Sequence, residues 1–284
     1  VFKTTEIELD VAGQKIAALK SVSGSKHKIL CLHGWLDNAN SFKPLLPLIN
    51  SAEIIAVDLP GHGYSEHQPC TYSMAAQSHT ALATADALGW DKFSFIGHSL
   101  GGCIAPFATV AAGDRIEKLV LIEAAGPRSE PAESLPDRLT QFHKDMGRPE
   151  KYRSRFFDSI DQAIESRLRA NKMSHESARL IVERQLKQID HNGSTKWQWR
   201  FDSKLRIASP GYYTEEQIQS ILKKMPCPTL CILADKGYLA DRTETAERLA
   251  CIPELSAVTH KGHHHLHLDN PPPVAESINE FLNL

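Results

Sequence analysis

Apolar positions along the chain follow two different periods. Short runs at residues 28–33, 53–58, 93–97, 117–123, 229–234 and 255–260 are mostly apolar. Longer stretches between several of them, such as residues 73–88 and 101–112, read as helices. A strand covered on both faces has to be apolar in both directions, and helices cover both faces of a parallel sheet. The alternation of strands and helices therefore predicts an α/β fold on a mostly parallel sheet. Residues 5–11 and 15–20 behave differently. Apolar and polar residues alternate there on either side of Gly13-Gln14, which predicts an N-terminal hairpin and brings the sheet to eight strands.

The alternation stops for about a hundred residues after Gly126. This stretch is rich in charge and reads as helix throughout, for example over residues 161–170 and 174–188. Ser174 supplies an N-cap for the second of these, and Ala178, Ile181, Val182, Gln185 and Leu186 lie on one of its faces. Because the sheet resumes at Thr229, the stretch reads as an insertion rather than a separate helical domain. The expected organisation is a core of residues 1–126 and 227–284 with a helical cap, or lid, at 127–226.

Composition narrows the partners. The chain has 284 residues, 42% of them hydrophobic and 23% charged, with a net charge of -2. No global field draws it to nucleic acid or to an anionic membrane. No apolar run approaches the roughly 18 to 20 residues of a membrane span, and the N-terminus shows no signal-peptide pattern. The chain starts at Val1, which leaves room for a preceding segment. Of six cysteines, Cys31, Cys103 and Cys231 sit inside apolar segments without repeated spacing, so they read as reduced core residues of a cytoplasmic protein. The final Leu282-Asn283-Leu284 lacks the basic residue of a peroxisomal address. A small-molecule substrate is the expected partner, and the sequence carries no signal for oligomeric state.

The chemistry concentrates in a few motifs. Gly97-His98-Ser99-Leu100-Gly101 lies between an apolar strand and a run of small residues. Strand, sharp turn and helix with small neighbours around a serine form a nucleophile elbow, which exposes the Ser99 hydroxyl at the end of the sheet. A serine nucleophile needs a base, a group that orients the base, and donors for the oxyanion. The loop after the last strand offers His263, His264, His265 and His267 as bases. The oxyanion donors should be the backbone N–H of Leu100 and that of Trp35 in His33-Gly34-Trp35, with His33 a structural hydrogen-bonder. The histidine-rich loop also invites a metal reading. No carboxylate or cysteine cluster elsewhere has ligand spacing, so neither metal nor cofactor is expected. The glycine-rich segment from Asp58 to Ser65 lacks the Lys-Ser/Thr of a phosphate loop and reads as a turn, with Asp58 binding nearby backbone amides.

In this order the motifs resemble the α/β-hydrolase superfamily over nearly the whole chain. The resemblance implies an order of serine, acid, histidine. It places the base on His264, with His267 in a supporting position and His263 and His265 as alternatives. It also implies an aspartate three residues after the position of Ala234, where this chain has Gly237. The acid is therefore open between Glu123, which ends an apolar strand, and Asp235, with Asp241 or no acid at all as further choices. Glu123 is the preferred reading because burying a strand-end carboxylate without partners is costly. The segments from Arg169 to Ser174, Trp197 to Asp202, Tyr213 to Gln217 and Cys227 to Leu230 resemble the serine hydrolase-like proteins of animals, the kraken-related branch. Haloalkane dehalogenases use a similarly placed glutamate, but their nucleophile is an aspartate, which Ser99 does not replace.

That resemblance implies hydrolysis of a small carboxylic ester or thioester through an acyl-enzyme. Trp35, His98, Trp197, Trp199, Phe201 and Tyr212 are candidate pocket residues, although aromatics in an insert serve equally well as its own core. Carbon–carbon bond hydrolysis, a cofactor-free lyase or oxygenase, and a ligand-binding relative without turnover are the competing expectations.

Overall fold

The computed structural model describes residues 4–24, 27–152, 155–240 and 242–284. In chain order the elements are β1 (Thr4–Val11), β2 (Gln14–Val22), β3 (His27–Leu32), β4 (Ala52–Val57), α1 (Met74–Ala87), β5 (Phe93–His98), α2 (Leu100–Ala112) and β6 (Ile116–Ile122). An insertion follows, with α3 (Leu135–Met146), β7 (Phe156–Phe157), α4 (Ile160–Ala170), α5 (His175–Gln185), β8 (Leu186–His191), β9 (Ser194–Trp199) and α6 (Glu215–Leu222). The chain then returns through β10 (Thr229–Ala234), α7 (Thr243–Leu249), β11 (Leu255–His260), α8 (Leu266–Asp269) and α9 (Pro271–Leu282).

Eight strands form one sheet in the order β1-β2-β4-β3-β5-β6-β10-β11. The β1–β2 and β2–β4 pairs are antiparallel, and the rest are parallel. Both faces are buried, which accounts for the apolar runs. On β3, Leu30 and Leu32 face the layer of α1 and α2, while Ile29 and Cys31 face that of α9. On β6, Leu119 and Leu121 divide in the same way from Val120 and Ile122. The period of two that puts neighbours on opposite faces is thus hidden in sequence by apolar residues on both.

The insertion departs from the all-helical expectation. It carries a three-stranded antiparallel sheet, β7-β9-β8, and α5 stops at Gln185 instead of continuing to residue 188. Asn192 and Gly193 turn the β8–β9 hairpin with φ of 54° and 75°, the left-handed pair that a tight two-residue turn requires. Trp197 and Trp199, two residues apart on β9, share one face and pack on Ala163, Ile164, Ala178 and Val182 of α4 and α5. A charged segment with alternating large residues and an Asn-Gly turn is a half-buried hairpin, not a helix. Among the described residues no helix is long and apolar enough to cross a membrane.

Candidate active site

β5 runs into α2 through Ser99, which caps the helix with φ 50° and ψ -112°. A non-glycine residue in that region costs on the order of 1–3 kcal/mol and persists only where its surroundings hold it. Here the Ser99 N–H donates to Ile122 O at 3.0 Å, and the Gly101 N–H donates to His33 O at 3.0 Å. A β-carbon on Gly101 would stand 1.9 Å from Leu32 O, and one on Gly97 would stand 2.6 Å from Gly101 O. The two glycines of the motif are therefore needed for close approach, and the serine is held where the strand ends. No group among the described residues accepts from the N–H of Leu100 or Trp35. These are the two donors expected to face an oxyanion.

The loop between β11 and α8 places the four histidines in four different settings. His264 Nδ1 lies 3.1 Å from Glu123 Oε2. A carboxylate only accepts, so Nδ1 carries a proton, and in the neutral ring Nε2 is then the lone pair a general base needs. His263 Nδ1 meets Lys236 O at 3.2 Å, and His265 Nε2 lies 3.3 Å from Asp37 Oδ2. His267 Nε2 meets Ser41 Oγ at 2.8 Å, and burial holds its ring down to about 3. Tyr238 stacks on His264 with ring centroids 4.1 Å apart.

Glu123 follows β6 with φ 50° and is 2% exposed. Its Oε1 accepts the Ala234 N–H at 2.8 Å, and its Oε2 accepts the Tyr238 N–H at 2.9 Å as well as His264. Three donors satisfy a carboxylate that would be costly to bury bare. A β-carbon on Gly237 would lie 2.2 Å from Glu123 Oε2. The position expected to hold an aspartate is thus the space that the Glu123 carboxylate fills. Asp235 is exposed and accepts the Gly262 N–H at 2.8 Å, away from His264. Asp241 lies outside the described residues.

Ser99, His98, His264, Trp35 and Tyr238 share the lining of a cavity of about 290 Å³ with Arg167 and Asn171 from the insertion. A larger hollow of about 690 Å³ is also lined by Trp35, together with Leu100 and Tyr212. The pocket expectation needs correction at three positions. Trp197, Trp199 and Phe201 line neither cavity. Trp197 and Trp199 belong to the insertion's own core, and Phe201 stacks on Trp199 with centroids 5.9 Å apart. His33 is structural, as expected: its Nδ1–H donates to Gly34 O at 2.7 Å and its Nε2 accepts the Leu59 N–H at 2.9 Å. Asp58 accepts the Ala39 and Tyr64 N–H groups and, beyond expectation, pairs with Arg184 of α5.

Sequence reasoning missed Asp37, Arg167 and Tyr238. Asp37 is fully buried and binds the Arg167 guanidinium of α4, which also reaches Leu36 O at 3.2 Å. Burial opposes ionisation of Asp37, but the Arg167 guanidinium and then His265 hold its carboxyl well below the usual range. The one local signal was an aspartate three residues after the Gly34 turn. Asp37, His98 and His265 also bring one potential metal-ligand atom each to within 4.8 Å of one another.

The fold and this strand-end site define a hydrolytic enzyme class. A family model described as the α/β hydrolase fold matches residues 28–271, and the chain belongs to that family. A probable serine hydrolase of Drosophila melanogaster is 31% identical over 277 residues, covering 91% of this chain and 82% of that protein. An esterase of Escherichia coli is 26% identical over 267 residues, covering 90% and 92%. The crystal structure of a hypothetical protein from Pseudomonas aeruginosa superposes with a TM-score of 0.89 at 30% identity, covering 98% of this chain and 97% of that one.

Proposed function

We propose that this enzyme hydrolyses a small carboxylic ester or thioester through an acyl-enzyme on Ser99. The observation that carries the reading is the 3.1 Å contact from His264 Nδ1 to Glu123, which in the neutral ring leaves the lone pair on Nε2. Ser99 Oγ attacks the carbonyl as His264 Nε2 takes its proton, and the N–H groups of Trp35 and Leu100 hold the oxyanion. His264 then returns the proton to the departing alcohol or thiol. Water, activated by the same histidine, releases the acid. Glu123 steadies the imidazolium through its contact with Nδ1.

In this reading residues 127–226 are the lid on a core of 1–126 and 227–284. Trp35 lines both the reacting cavity and the larger hollow, whose mixed walls, from Leu100, Ile207 and Tyr212 to Gln77, Arg128 and Arg206, leave room for the rest of the substrate. The names of the Drosophila and Escherichia coli relatives support ester chemistry on a serine. The case for a pocket without turnover rested on the absent aspartate at Gly237, and Glu123 supplies a carboxylate at that place. All six cysteines are free, which supports a reducing compartment such as the cytoplasm.

The test is labelling with a fluorophosphonate probe beside turnover of short nitrophenyl esters. Wild type should label and turn over, while Ser99→Ala should do neither and His264→Ala should lose at least about a thousandfold in rate. Unlabelled wild type, or labelling retained in Ser99→Ala, would overturn the assignment.

A further inference from the structure

Behind Ser99, three buried side chains from distant parts of the chain converge. Asp37 comes from the loop after β3, His98 ends β5, and His265 precedes α8. One ligand atom of each lies within 4.8 Å of the others. Asp37 Oδ2 is 3.7 Å from His98 Nδ1 and 3.3 Å from His265 Nε2.

The protons in this cluster are determined by its neighbours. His98 Nε2 lies 2.9 Å from the backbone carbonyl of His264, which only accepts, so His98 carries a proton on Nε2. In the neutral ring that proton is the only one. Its Nδ1 is therefore a bare lone pair. It is fully buried, has no hydrogen-bond partner among the described residues, and faces a carboxylate oxygen. Two electron-rich atoms face one another where a cation would bind both. His265 Nε2 faces the same carboxylate and donates to it when it carries the proton, whereas its Nδ1 has no partner among the described residues, so a cation that takes Nε2 as a third ligand moves that proton to Nδ1. Arg167 holds the other Asp37 oxygen and keeps the carboxylate oriented, the usual outer support of a metal-binding acid.

We propose that Asp37, His98 and His265 bind one divalent transition cation of the zinc class, and that its binding reversibly blocks the Ser99 site. Two imidazoles and one carboxylate suit zinc or its neighbours and disfavour magnesium and calcium, which prefer all-oxygen shells. The three residues line the same cavity as Ser99 and His264, so a cation held by them would share the space of the reacting groups. The His98 ring lies 4.8 Å from that of His264. A divalent charge there opposes the positive charge that His264 acquires when it takes the serine proton. The argument from sequence spacing against a metal does not reach this group, whose members lie far apart along the chain.

The blocking step rests on the serine hydrolase reading, whereas binding does not. Titration of the chelator-treated full chain with zinc chloride by calorimetry should show one site with a Kd of about 10 μM or tighter, and magnesium chloride should show none. His265→Gln should weaken zinc binding at least about tenfold, and His263→Gln should leave it unchanged. If His265→Gln fails to fold, cobalt binding to wild type decides. The intense visible bands of a four- or five-coordinate site support the cluster, and the weak spectrum of hydrated cobalt overturns it. Equal zinc affinity in His265→Gln, or no site tighter than about 100 μM, overturns the binding proposal. Fluorophosphonate labelling should fall as zinc saturates and return with chelator. Binding with undiminished labelling overturns the block, and a chain that never labels fails the hydrolase reading while calorimetry still judges the site.

Discussion

Glu123 and Asp235 stand one residue beyond the ends of the adjacent strands β6 and β10, at the same edge of the sheet. Both are carboxylates after apolar runs, and locally they look alike. Glu123 turns inward with a positive φ, is closed off from solvent, and accepts from two backbone N–H groups and His264. Asp235 stays in solvent and ties its own loop to Gly262. Burial with converging donors makes one carboxylate a positioning group for the histidine. Exposure makes the other a loop staple whose bond water readily replaces.

The comparison breaks most sharply at Glu123. Glu123→Gln keeps the size of the side chain but removes the charge that holds the proton on His264 Nδ1. The rate should fall by about 10³ to 10⁴, the range in which a histidine held in the wrong tautomer acts, with little change in substrate KM. Steady-state ester kinetics of the folded variant checks this. A loss below about tenfold would mean that another group orients His264.

Gly237 tests the same geometry from the opposite side. Adding a side chain there places its β-carbon 2.2 Å from Glu123 Oε2, so Gly237→Asp should push Glu123 from His264. We expect overpacking of about 1–3 kcal/mol in chemical denaturation, with a rate loss of about 10- to 100-fold. Removing the obstacle should reverse the sign. Glu123→Gly suits the left-handed backbone and empties the space, so Glu123→Gly with Gly237→Asp should turn over faster than Glu123→Gly alone. If the double variant is no faster, the two strand ends are not interchangeable sources of the acid.

Much of the core was legible because its constraints are local. Strands buried on both faces announce themselves as apolar runs, and the elbow needs glycines at fixed places around Ser99. The insertion was harder, since charged residues mask an alternation that Asn192-Gly193 alone punctuates. Trp197 and Trp199 had the chemistry of pocket walls, but their shared face on β9 turns them into the insertion's own packing. Asp37 and Arg167 were invisible because their partnership joins residues 130 positions apart. Gly237 read as a missing acid because sequence lists residues and not volumes. The space it leaves has an occupant 114 residues upstream, and only the folded sheet brings the two together.

The smallest effect sharpens the comparison most. Asp235→Ala removes the acceptor for the Gly262 N–H, and that exposed bond should contribute about 0.5–1.5 kcal/mol. Asp235→Asn retains an acceptor and should cost less. Because Gly262 precedes His264 by two residues, a loosened loop could blur the position of the base, which would raise KM and lower kcat together. A merely stapling role predicts instead that the rate stays within about threefold while the midpoint of denaturation moves slightly. Measuring both on the same preparation separates the roles. A thousandfold loss in Asp235→Asn with an unchanged midpoint would transfer the orienting role from Glu123 to Asp235.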